Sequence, residues 1–275
     1  MSEELVWLAR TLDIVRERTG LDFSRYRAST MLRRVRNRMI AAGAQTLPEY
    51  HEQLQADPGE AGALLERLTI KVSRFYRDAA TFRALGGALE RWTRTRPPRL
   101  WSAGCGQGEE PYSLAILAEA SGLGEARVLA TDIDPSALAF AREARYPEAA
   151  VQEVPAPLLA RAFDEEASPR GRRLRVKPEL RARVDFHIHD LLCGDEPPRE
   201  RGFDLVCCRN VLIYLQRDFQ ERVQWLLARS LAPGGLLCLG EAEWLLPPVA
   251  ARFEVIDRKA RLFRYRAEGA EVRHV

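Results

Sequence analysis

The first third of the chain shows apolar positions at helical spacing. Residues 5–15 keep this period, and Gly20 marks the end of the predicted helix. A second helix is predicted over residues 28–42 and ends before Gly43. Its apolar stripe is expected to consist of Leu32, Val35 and Met39. Further along, the pattern predicts a short helix from Pro48, a turn at residues 57–59 and a linker at residues 96–99.

From residue 99 onward, short apolar runs alternate with helical segments. Residues 203–208 are nearly all apolar, as expected of a central strand in a parallel sheet. The other predicted strands cover residues 99–103, 127–131, 184–189 and 236–239, with an antiparallel pair at 253–256 and 262–265. The predicted helices cover residues 111–121, a segment from Pro135, and residues 218–231. This alternation predicts an open, doubly wound α/β sheet.

The chain therefore divides into two parts of different kinds. We predict a small all-helical N-terminal domain with its linker over residues 1–96, and an α/β domain over residues 97–275. Residues 150–183 are polar and rich in arginine, and they interrupt the alternation. We interpret them as an inserted, small antiparallel β subdomain. The strand-like segment 172–176 within it could add an edge to a partner peptide, but no residue of the sequence shows that it does.

Composition narrows the class of protein. The 275 residues are 46% hydrophobic and 29% charged, a globular balance that excludes a disordered chain. No apolar run approaches the ~18 residues that span a bilayer, and the acidic start of the chain lacks the features of a signal peptide. The five cysteines form no CxxC pair, which suits a reducing cytosol and argues against structural zinc. We therefore expect a cytoplasmic protein.

The net charge of +3 is too small for a dedicated nucleic-acid binder, but it is unevenly distributed. Residues 1–96 carry 17 Lys and Arg against 12 Asp and Glu. The second predicted helix places Arg34 and Arg38 on one stripe, and Arg33 and Arg36 on another. This arrangement suits docking against an acidic partner helix. A solvated basic face and contact with nucleic-acid phosphates are the alternatives.

The strand at residues 99–103 leads into a glycine-rich turn and then a helix. Glycine occupies alternate positions of the turn, at Gly104, Gly106 and Gly108. Such a turn lets the backbone approach a ligand closely. Glu109 stands where the dinucleotide fingerprint needs glycine, and with Glu110 it would repel a diphosphate but attract an ammonium or sulfonium. Asp132 ends the next strand, where it is placed to accept from ribose hydroxyls, so the pattern favours S-adenosylmethionine over NAD. Alternatively, the glycines only pack a tight turn and the carboxylates cap the helix.

Several motifs in order resemble the CheR-type chemotaxis receptor methyltransferases over roughly residues 5–266. They are Leu-Thr-Ile-Lys-Val-Ser-Arg-Phe-Tyr-Arg-Asp at 68–78, Trp-Ser-Ala at 101–103, Gly-Glu-Glu-Pro-Tyr-Ser at 108–113, Ala-Thr-Asp-Ile-Asp at 130–134 and Cys-Arg-Asn-Val-Leu-Ile-Tyr at 208–214. The resemblance implies a Rossmann-like class I methyltransferase sheet. It also implies methyl transfer from S-adenosylmethionine to glutamate carboxylates of chemoreceptors, which gives glutamyl methyl esters and S-adenosylhomocysteine. The partner would be the helical cytoplasmic domain of a receptor.

The resemblance also implies roles for single residues. Those that would reach the cofactor are Lys71, Ser73, Arg77, Glu109 at the methionine part, Asp132 at the ribose, and Asp190 with Leu191 at the adenine. Arg209 and Asn210 would line the transfer site, and Tyr214 would point at the target. Two positions depart from the family pattern: some members have Asn where Lys71 stands, and Tyr76 replaces the commoner Phe.

The chemistry sets its own requirements. A glutamate carboxylate has a pKa of ~4.3, so it is ionised at pH 7 and needs no general base. It must still be held, and a guanidinium offers a matching planar fork. Arg209 and Arg77 are the candidates, and we favour Arg209 together with the Tyr214 hydroxyl. A surface ion pair for Arg209 and a half-buried core position for Tyr214 are the alternatives.

Two other classes of function are alternatives. One alternative is a non-catalytic signalling module that binds S-adenosylmethionine, and another is a methyltransferase for a nucleic acid or small molecule. The place after the central strand reads Arg-Asn-Val-Leu at 209–212, where amino-group nucleic-acid methylases usually carry an Asn/Asp-Pro-Pro-aromatic string, which disfavours that class. His187, His189 and Asp190 lack further ligands at metal spacing, so we predict no metal site.

Overall fold

The computed structural model describes residues 2–69, 73–92, 96–167, 171–193 and 201–266. The chain forms two compact units. The smaller unit comprises Met1–Ile70 together with Tyr214–Gln220, and the larger comprises Lys71–Ile213 together with Glu221–Val275. In the described residues, none of the helices has the length and apolar character needed to cross a membrane.

Residues 2–69 of the smaller unit, as the structure describes them, form four helices. They are α1 (Glu3–Thr19), α2 (Ala28–Ala41), α3 (Leu47–Ala56) and α4 (Pro58–Leu68). Gly20 ends α1 in the left-handed conformation (φ +76°), as its sequence position predicts. The turn predicted at residues 57–59 is instead the start of α4, because the Asp57 carboxylate accepts from the Gly59 N–H and caps that helix.

The core of the smaller unit lies between these four helices. The stripe of α2 that enters it consists of Met31, Val35 and Met39, whereas Leu32 is only half-buried. The prediction of Leu32 in this stripe is therefore wrong, and Met31 takes its place. The buried residues follow the i, i+4, i+8 spacing instead of i, i+3, i+7.

The larger unit is built on a seven-stranded sheet. Its strands are β1 (Arg99–Ala103), β2 (Arg127–Asp132), β6 (Val184–Ile188), β7 (Phe203–Cys208), β8 (Leu231–Leu239), β9 (Phe253–Asp257) and β10 (Leu262–Tyr265). Their order is β6-β2-β1-β7-β8-β10-β9. The first five strands in this order pair in parallel, and β10 is antiparallel to both of its neighbours. The predicted doubly wound α/β class is confirmed.

The remaining helices follow the strands in the expected alternation. They are α5 (Ala79–Glu90), α6 (Glu109–Ala120), α7 (Pro135–Glu143), α8 (Ala156–Ala162), α9 (Pro178–Arg181), α10 (Arg217–Ser230) and α11 (Pro247–Ala250). Every residue of β7 is buried, which agrees with its nearly continuous apolar sequence. The helix α6 is apolar on all sides, and seven successive residues from Tyr112 to Ala118 are buried.

A second, three-stranded antiparallel sheet forms the predicted insertion. It consists of β3 (Arg145–Pro147), β4 (Phe163–Glu166) and β5 (Arg173–Val176) in the order β3-β5-β4. The hypothesis that segment 172–176 offers a free edge is wrong, because β5 is the central strand and is hydrogen-bonded on both sides.

Candidate functional site

The parallel strands bring most of the predicted site residues to one edge of the sheet. β1, β2, β6 and β7 run side by side, so their carboxyl ends meet at the same edge. The loop after β1 carries the glycines, β2 ends at Asp132, and Asp190 follows β6. Arg209 and Asn210 follow β7. This is the edge where open α/β sheets bind ligands.

The three loop glycines serve different purposes. All have positive φ, but a Cβ on Gly104 would lie 2.5 Å from the Val211 Cγ2. A Cβ on Gly108 would lie 2.8 Å from the Tyr146 hydroxyl, so these two glycines are required by packing. A Cβ on Gly106 would meet no atom within 4 Å. Gly106 is therefore the place where the loop leaves open space for a ligand.

Asp132 fixes this loop from the neighbouring strand. One carboxylate oxygen accepts from the Gly106 N–H at 2.8 Å, and the other accepts from the Asp134 N–H at 2.9 Å. Burial raises the pKa of Asp132, while these backbone hydrogen bonds oppose the rise. Each oxygen has a second lone pair, so the carboxylate can accept from a ligand hydroxyl in addition.

Glu109 is the most unusual carboxylate of the site. It is the first residue of α6 and only 4% exposed, and its Oε2 has no hydrogen-bond partner among the described residues. Desolvation by burial raises its pKa to about 7. A buried carboxylate with an unused oxygen is costly unless a ligand satisfies it. Glu109 also stands in the first turn of α6, so the alternative interpretation, in which the acidic pair stabilises the helix N-terminus, stays open.

Glu110 is satisfied internally, in contrast to its neighbour. Its Oε1 accepts from the Ser102 hydroxyl at 2.7 Å, and its Oε2 lies 3.3 Å from Arg209 Nη1. Glu110 therefore shares the Arg209 cation with Asp78, whereas Glu109 forms no ion pair within the described residues. The predicted attraction for a cationic ligand thus depends on one carboxylate, not two.

Arg209 does not present a free fork. Its side chain is 3% exposed, and Nη2 donates to the Asp78 carboxylate at 2.7 Å and to the Arg77 carbonyl at 2.8 Å. With Glu110 on Nη1, both terminal nitrogens are occupied. Arg209 is therefore an internal ion-pair residue that joins the end of β7 to the start of α6 and to residues 77–78. It is neither the surface ion pair considered above nor an open carboxylate receiver in this structure.

Residues 75–78 have unusual backbone geometry. Tyr76 and Asp78 have positive φ values of 54° and 63°, which side-chain-bearing residues rarely adopt. Phe75 anchors the segment, because its ring packs edge-on against Tyr146 at 4.8 Å and Phe163 at 5.0 Å. The Arg77 guanidinium is half-buried and has no hydrogen bond or ion pair within the described chain. Strain of this kind concentrates at functional sites.

The Tyr76 side chain differs from its neighbours in one respect. Its backbone N–H donates to the Ser113 hydroxyl at 3.0 Å, and its ring stacks on Phe82 at 4.7 Å. The Tyr76 hydroxyl is buried without a partner among the described residues. The replacement of the family's Phe is thus accommodated by the packing, but it leaves a polar atom unsatisfied.

Glu243 is a functional-site residue that the sequence interpretation missed. Its buried carboxylate accepts from the N–H groups of Asn210, Val211 and Ile213 at 3.0, 2.9 and 3.2 Å. Asn210 itself has φ +61°. Glu243 therefore holds the loop after β7 in a conformation that leaves its amides otherwise unpaired. The role of Glu243 could not be recognised in the sequence, because its hydrogen-bond partners are backbone N–H groups that are distant along the chain.

The remaining predicted cofactor residues have defined positions with one exception. Asp190 is half-buried and caps its own turn through the Leu192 N–H at 2.8 Å, and Leu191 is buried beside it. The His189 N–H donates to the Asp132 carbonyl at 3.0 Å, which joins this turn to the end of β2. Ser73 is half-buried, and Lys71 lies outside the described residues.

Tyr214 belongs to the smaller unit. Its carbonyl accepts from the Arg27 N–H at 2.8 Å, and the Arg34 guanidinium lies over its ring at 5.6 Å. Tyr214 is half-buried, as the alternative interpretation allowed. Its predicted cooperation with Arg209 on one substrate carboxylate stays a prediction.

The two arginine stripes of α2 are not equivalent. Arg34 Nη1 donates to the last carbonyls of α4, at Arg67, Leu68 and Thr69. Arg38 forms a two-point ion pair with Glu60, at 2.7 and 2.5 Å. Both arginines therefore hold the smaller unit together, and their predicted use in docking conflicts with these contacts. Arg33 and Arg36 lie on the exposed face, where Arg36 pairs with Glu4 and Arg33 has no ion pair among the described residues.

The chemistry of this sheet edge fits S-adenosylmethionine. The unused Glu109 oxygen suits its ammonium group, and the Asp132 carboxylate suits its ribose hydroxyls. The glycine loop has open space at Gly106, where a Cβ atom would meet no other atom within 4 Å. No group of three or more His, Cys, Asp or Glu suited to a metal ion occurs in the described ranges.

Comparison with protein families assigns both parts of the chain. The family model described as "CheR methyltransferase, SAM binding domain" matches residues 71–262. The model described as "CheR methyltransferase, all-alpha domain" matches residues 8–69. The match covers more than half of the chain, and the predicted cofactor class is confirmed by the first of these descriptions.

Curated relatives agree with this assignment. The chain is 33% identical over 250 residues to "Chemotaxis protein methyltransferase 2" of Pseudomonas aeruginosa, which covers 88% of this chain and 89% of the relative. It is 33% identical to "Chemotaxis protein methyltransferase" of Listeria monocytogenes, over 86% of this chain and 88% of the relative. It is also 35% identical to "Probable biofilm formation methyltransferase WspC" of Pseudomonas putida, over 85% of this chain and 56% of that protein.

Proposed function

Because the chain belongs to the CheR methyltransferase family, we propose that it methylates glutamate side chains in the cytoplasmic helical domain of chemoreceptors. The products are glutamyl methyl esters and S-adenosylhomocysteine. The single observation that carries the proposal is the buried, unused Glu109 oxygen at the glycine loop, which suits the ammonium of the methyl donor. The names of the curated relatives support the substrate class.

The residues of the sheet edge hold the donor in this proposal. When bound, S-adenosylmethionine supplies a sulfonium methyl group that passes to a carboxylate oxygen and leaves S-adenosylhomocysteine. The Glu109 carboxylate accepts hydrogen bonds from the ammonium, and the Asp132 carboxylate accepts from ribose hydroxyls. Asp190 and Leu191 contact the adenine. The backbone of Gly104 and Gly106 lets the cofactor approach the loop closely. We also propose that Ser73, Lys71 and Asn210 contact the cofactor, as predicted from the resemblance.

The target carboxylate needs a cation that is not already engaged. Arg77 supports this role, because its guanidinium has no partner in the described chain and its carbonyl is fixed by Arg209. Arg209 then acts as a positioning residue that holds Arg77 and Asp78 in place. The Tyr214 hydroxyl remains the proposed neutral donor. No general base is required, because the glutamate is ionised at pH 7.

The function is tested by methyl transfer with a label. The protein is incubated with S-adenosylmethionine tritiated in the methyl group and with the cytoplasmic helical domain of a candidate receptor. We expect label in the receptor that alkali releases as volatile methanol, because carboxyl methyl esters are base-labile. Label that resists alkali would indicate N-methylation. Tight donor binding without transfer to any receptor domain would indicate a signalling module instead.

Asp132→Ala should weaken binding of S-adenosylhomocysteine by about 10- to 30-fold, the value of one or two hydrogen bonds to a charged group. Calorimetry with the 2′-deoxyadenosyl analogue separates ligand contact from loop support. The analogue should bind more weakly than S-adenosylhomocysteine to the unmodified protein, but equally to the variant. If the variant still distinguishes the two ligands, Asp132 does not accept from the ribose.

The exposed stripe of α2 is the part of the helix that we propose for receptor docking. Arg33→Glu should raise the KM for the receptor domain about fivefold to tenfold, with kcat and cofactor affinity unchanged. Arg67→Glu, a charge reversal at another exposed arginine of the same unit, serves as the control and should leave KM unchanged. Equal KM values for the two variants would remove the docking role of α2.

A further inference from the structure

An exposed tryptophan lies among cationic side chains on the larger unit. Trp244, in the segment after β8, is 40% exposed. The Arg261 guanidinium lies over its ring at 3.6 Å from the centroid, and that of Arg258 lies at 5.1 Å. Together with the exposed Lys259, these residues form what we call the Trp244 cluster. None of its members belongs to the motifs that identify the family.

The cations of the Trp244 cluster have no counter-charge of their own. Arg258, Lys259 and Arg261 form no ion pair within the described chain. Arg261 donates to the carbonyls of Glu241 and Arg258, which orients its guanidinium but does not neutralise it. The nearby Asp257 uses one carboxylate oxygen to accept from the N–H groups of Lys259 and Ala260. The cluster therefore offers positive charge and free N–H donors to a ligand.

The cluster is also held rigidly. The fully buried Gln224 donates to the Trp244 carbonyl at 2.9 Å and accepts from the Leu246 N–H at 2.8 Å. The Trp244 ring packs edge-on against Phe263 at 6.2 Å. The turn that carries the arginines is fixed by Arg261 in the left-handed conformation (φ +53°). Cations stacked on a fixed aromatic ring lose little conformational freedom when a ligand binds.

The cluster is joined to the proposed transfer site through its neighbour in sequence. Glu243, which precedes Trp244, binds the backbone amides of the loop that follows β7. The segment of Trp244 and that loop follow the carboxyl ends of β8 and β7, which are parallel neighbours, so both begin at the same edge of the sheet.

We infer that the Trp244 cluster binds an acidic segment of the protein substrate, next to the glutamate that is methylated. This inference rests on the proposed function, because a substrate that presents several glutamates supplies the matching charge. Arg forks pair well with carboxylates. Two other ligands, a nucleobase stacked on Trp244 and a membrane into which Trp244 inserts, fit less well than an acidic segment. Both need a free ring face, and the Arg261 guanidinium already covers one face of the indole ring.

Direct binding tests this inference without methyl transfer. The probe is a fluorescein-labelled, alanine-based helical peptide that carries several glutamates, and its partner has glutamine at the same positions. Fluorescence anisotropy is measured with the full chain saturated with S-adenosylhomocysteine. Arg258→Glu should weaken binding of the glutamate peptide about fivefold to tenfold at low salt, and less as the salt concentration rises. Arg229→Glu is the matched control at an exposed arginine of α10 and should have no effect.

Two outcomes would overturn the inference, and a third would separate it from the proposed function. Equal binding of the glutamate peptide to both variants would show that the cluster does not take part. An effect of Arg258→Glu on anionic vesicles or a single-stranded oligonucleotide, but not on the peptide, would assign the cluster to that other ligand. If the peptide binds as expected while no receptor is methylated, the acidic-segment site stands and the proposed function fails.

Turnover provides a second readout. With a receptor domain that is methylated, Trp244→Ala and Arg258→Glu should each raise the KM for the receptor and leave the affinity for S-adenosylhomocysteine unchanged. A loss in cofactor affinity of the same size would show that the substitutions act on the fold of the loop instead, and would overturn the assignment.

Discussion

Glu109→Gln is expected to weaken binding of S-adenosylmethionine by about 30- to 100-fold, the value of a charge-assisted hydrogen bond in a buried site. The affinity of the unmodified protein should rise as the pH passes through about 7, because the ionised form of Glu109 receives the ammonium. Binding below that pH should release a proton. The variant should lose this pH dependence, which calorimetry in buffers of different ionisation enthalpy measures directly.

The same substitution should stabilise the protein without its ligand. The folded-state pKa of Glu109 is raised to about 7 by burial, above its value of ~4.3 in the unfolded chain. Stability is therefore lost as the pH rises through this window, and glutamine removes the loss. We expect up to about 3 kcal/mol of added stability at pH 8. Glu125→Gln, at an exposed glutamate, is the control. An unchanged affinity and an unchanged pH profile would contradict the role of Glu109.

Arg209→Met should produce a large loss of stability in the larger unit. It leaves Asp78 and Glu110, whose side chains are 26% and 14% exposed, without their shared cation. Breaking such a buried pair costs about 3–5 kcal/mol, and a lowering of Tm by roughly 10 °C should follow. Differential scanning calorimetry measures the change. Arg229→Met, at an exposed arginine, should leave Tm unchanged.

Two further measurements separate positioning by Arg209 from contact with substrate. Arg209→Met combined with Glu110→Gln should recover part of the lost stability, because one uncompensated charge is removed. At temperatures where Arg209→Met is folded, its kcat should fall while the receptor KM changes little. A large rise in KM with normal stability would instead mean that Arg209 itself holds the target carboxylate.

The order of the seven main strands could be predicted from the sequence because each strand depends on a local pattern. The nearly continuous apolar run at residues 203–208 indicated the central strand, and Gly20 marked the end of α1. The glycine loop, Glu109 and Asp132 were found for the same reason, since their spacing follows from one strand–loop–helix unit. The class of cofactor could also be inferred from them, because Glu109 replaces a glycine of the dinucleotide pattern.

Pairing between distant residues could not be predicted in this way. In the sequence, Arg34 and Arg38 have the pattern of solvated cations. In the structure, Arg34 donates to carbonyls at the end of α4, and Arg38 pairs with Glu60 of the same helix. Arg209 matches a carboxylate fork in sequence, yet the carboxylates it meets are those of Asp78 and Glu110. In each case the cation is evident in the sequence, whereas the acceptor that it meets becomes known only from the fold.

The single carboxylate of Glu243 has a thermodynamic consequence for the molecule. It secures the loop after β7 on one side, and on the other it is followed directly by Trp244. Linkage is reciprocal. If an acidic segment at Trp244 raises the affinity for the cofactor, the cofactor must raise the affinity for that segment by the same factor.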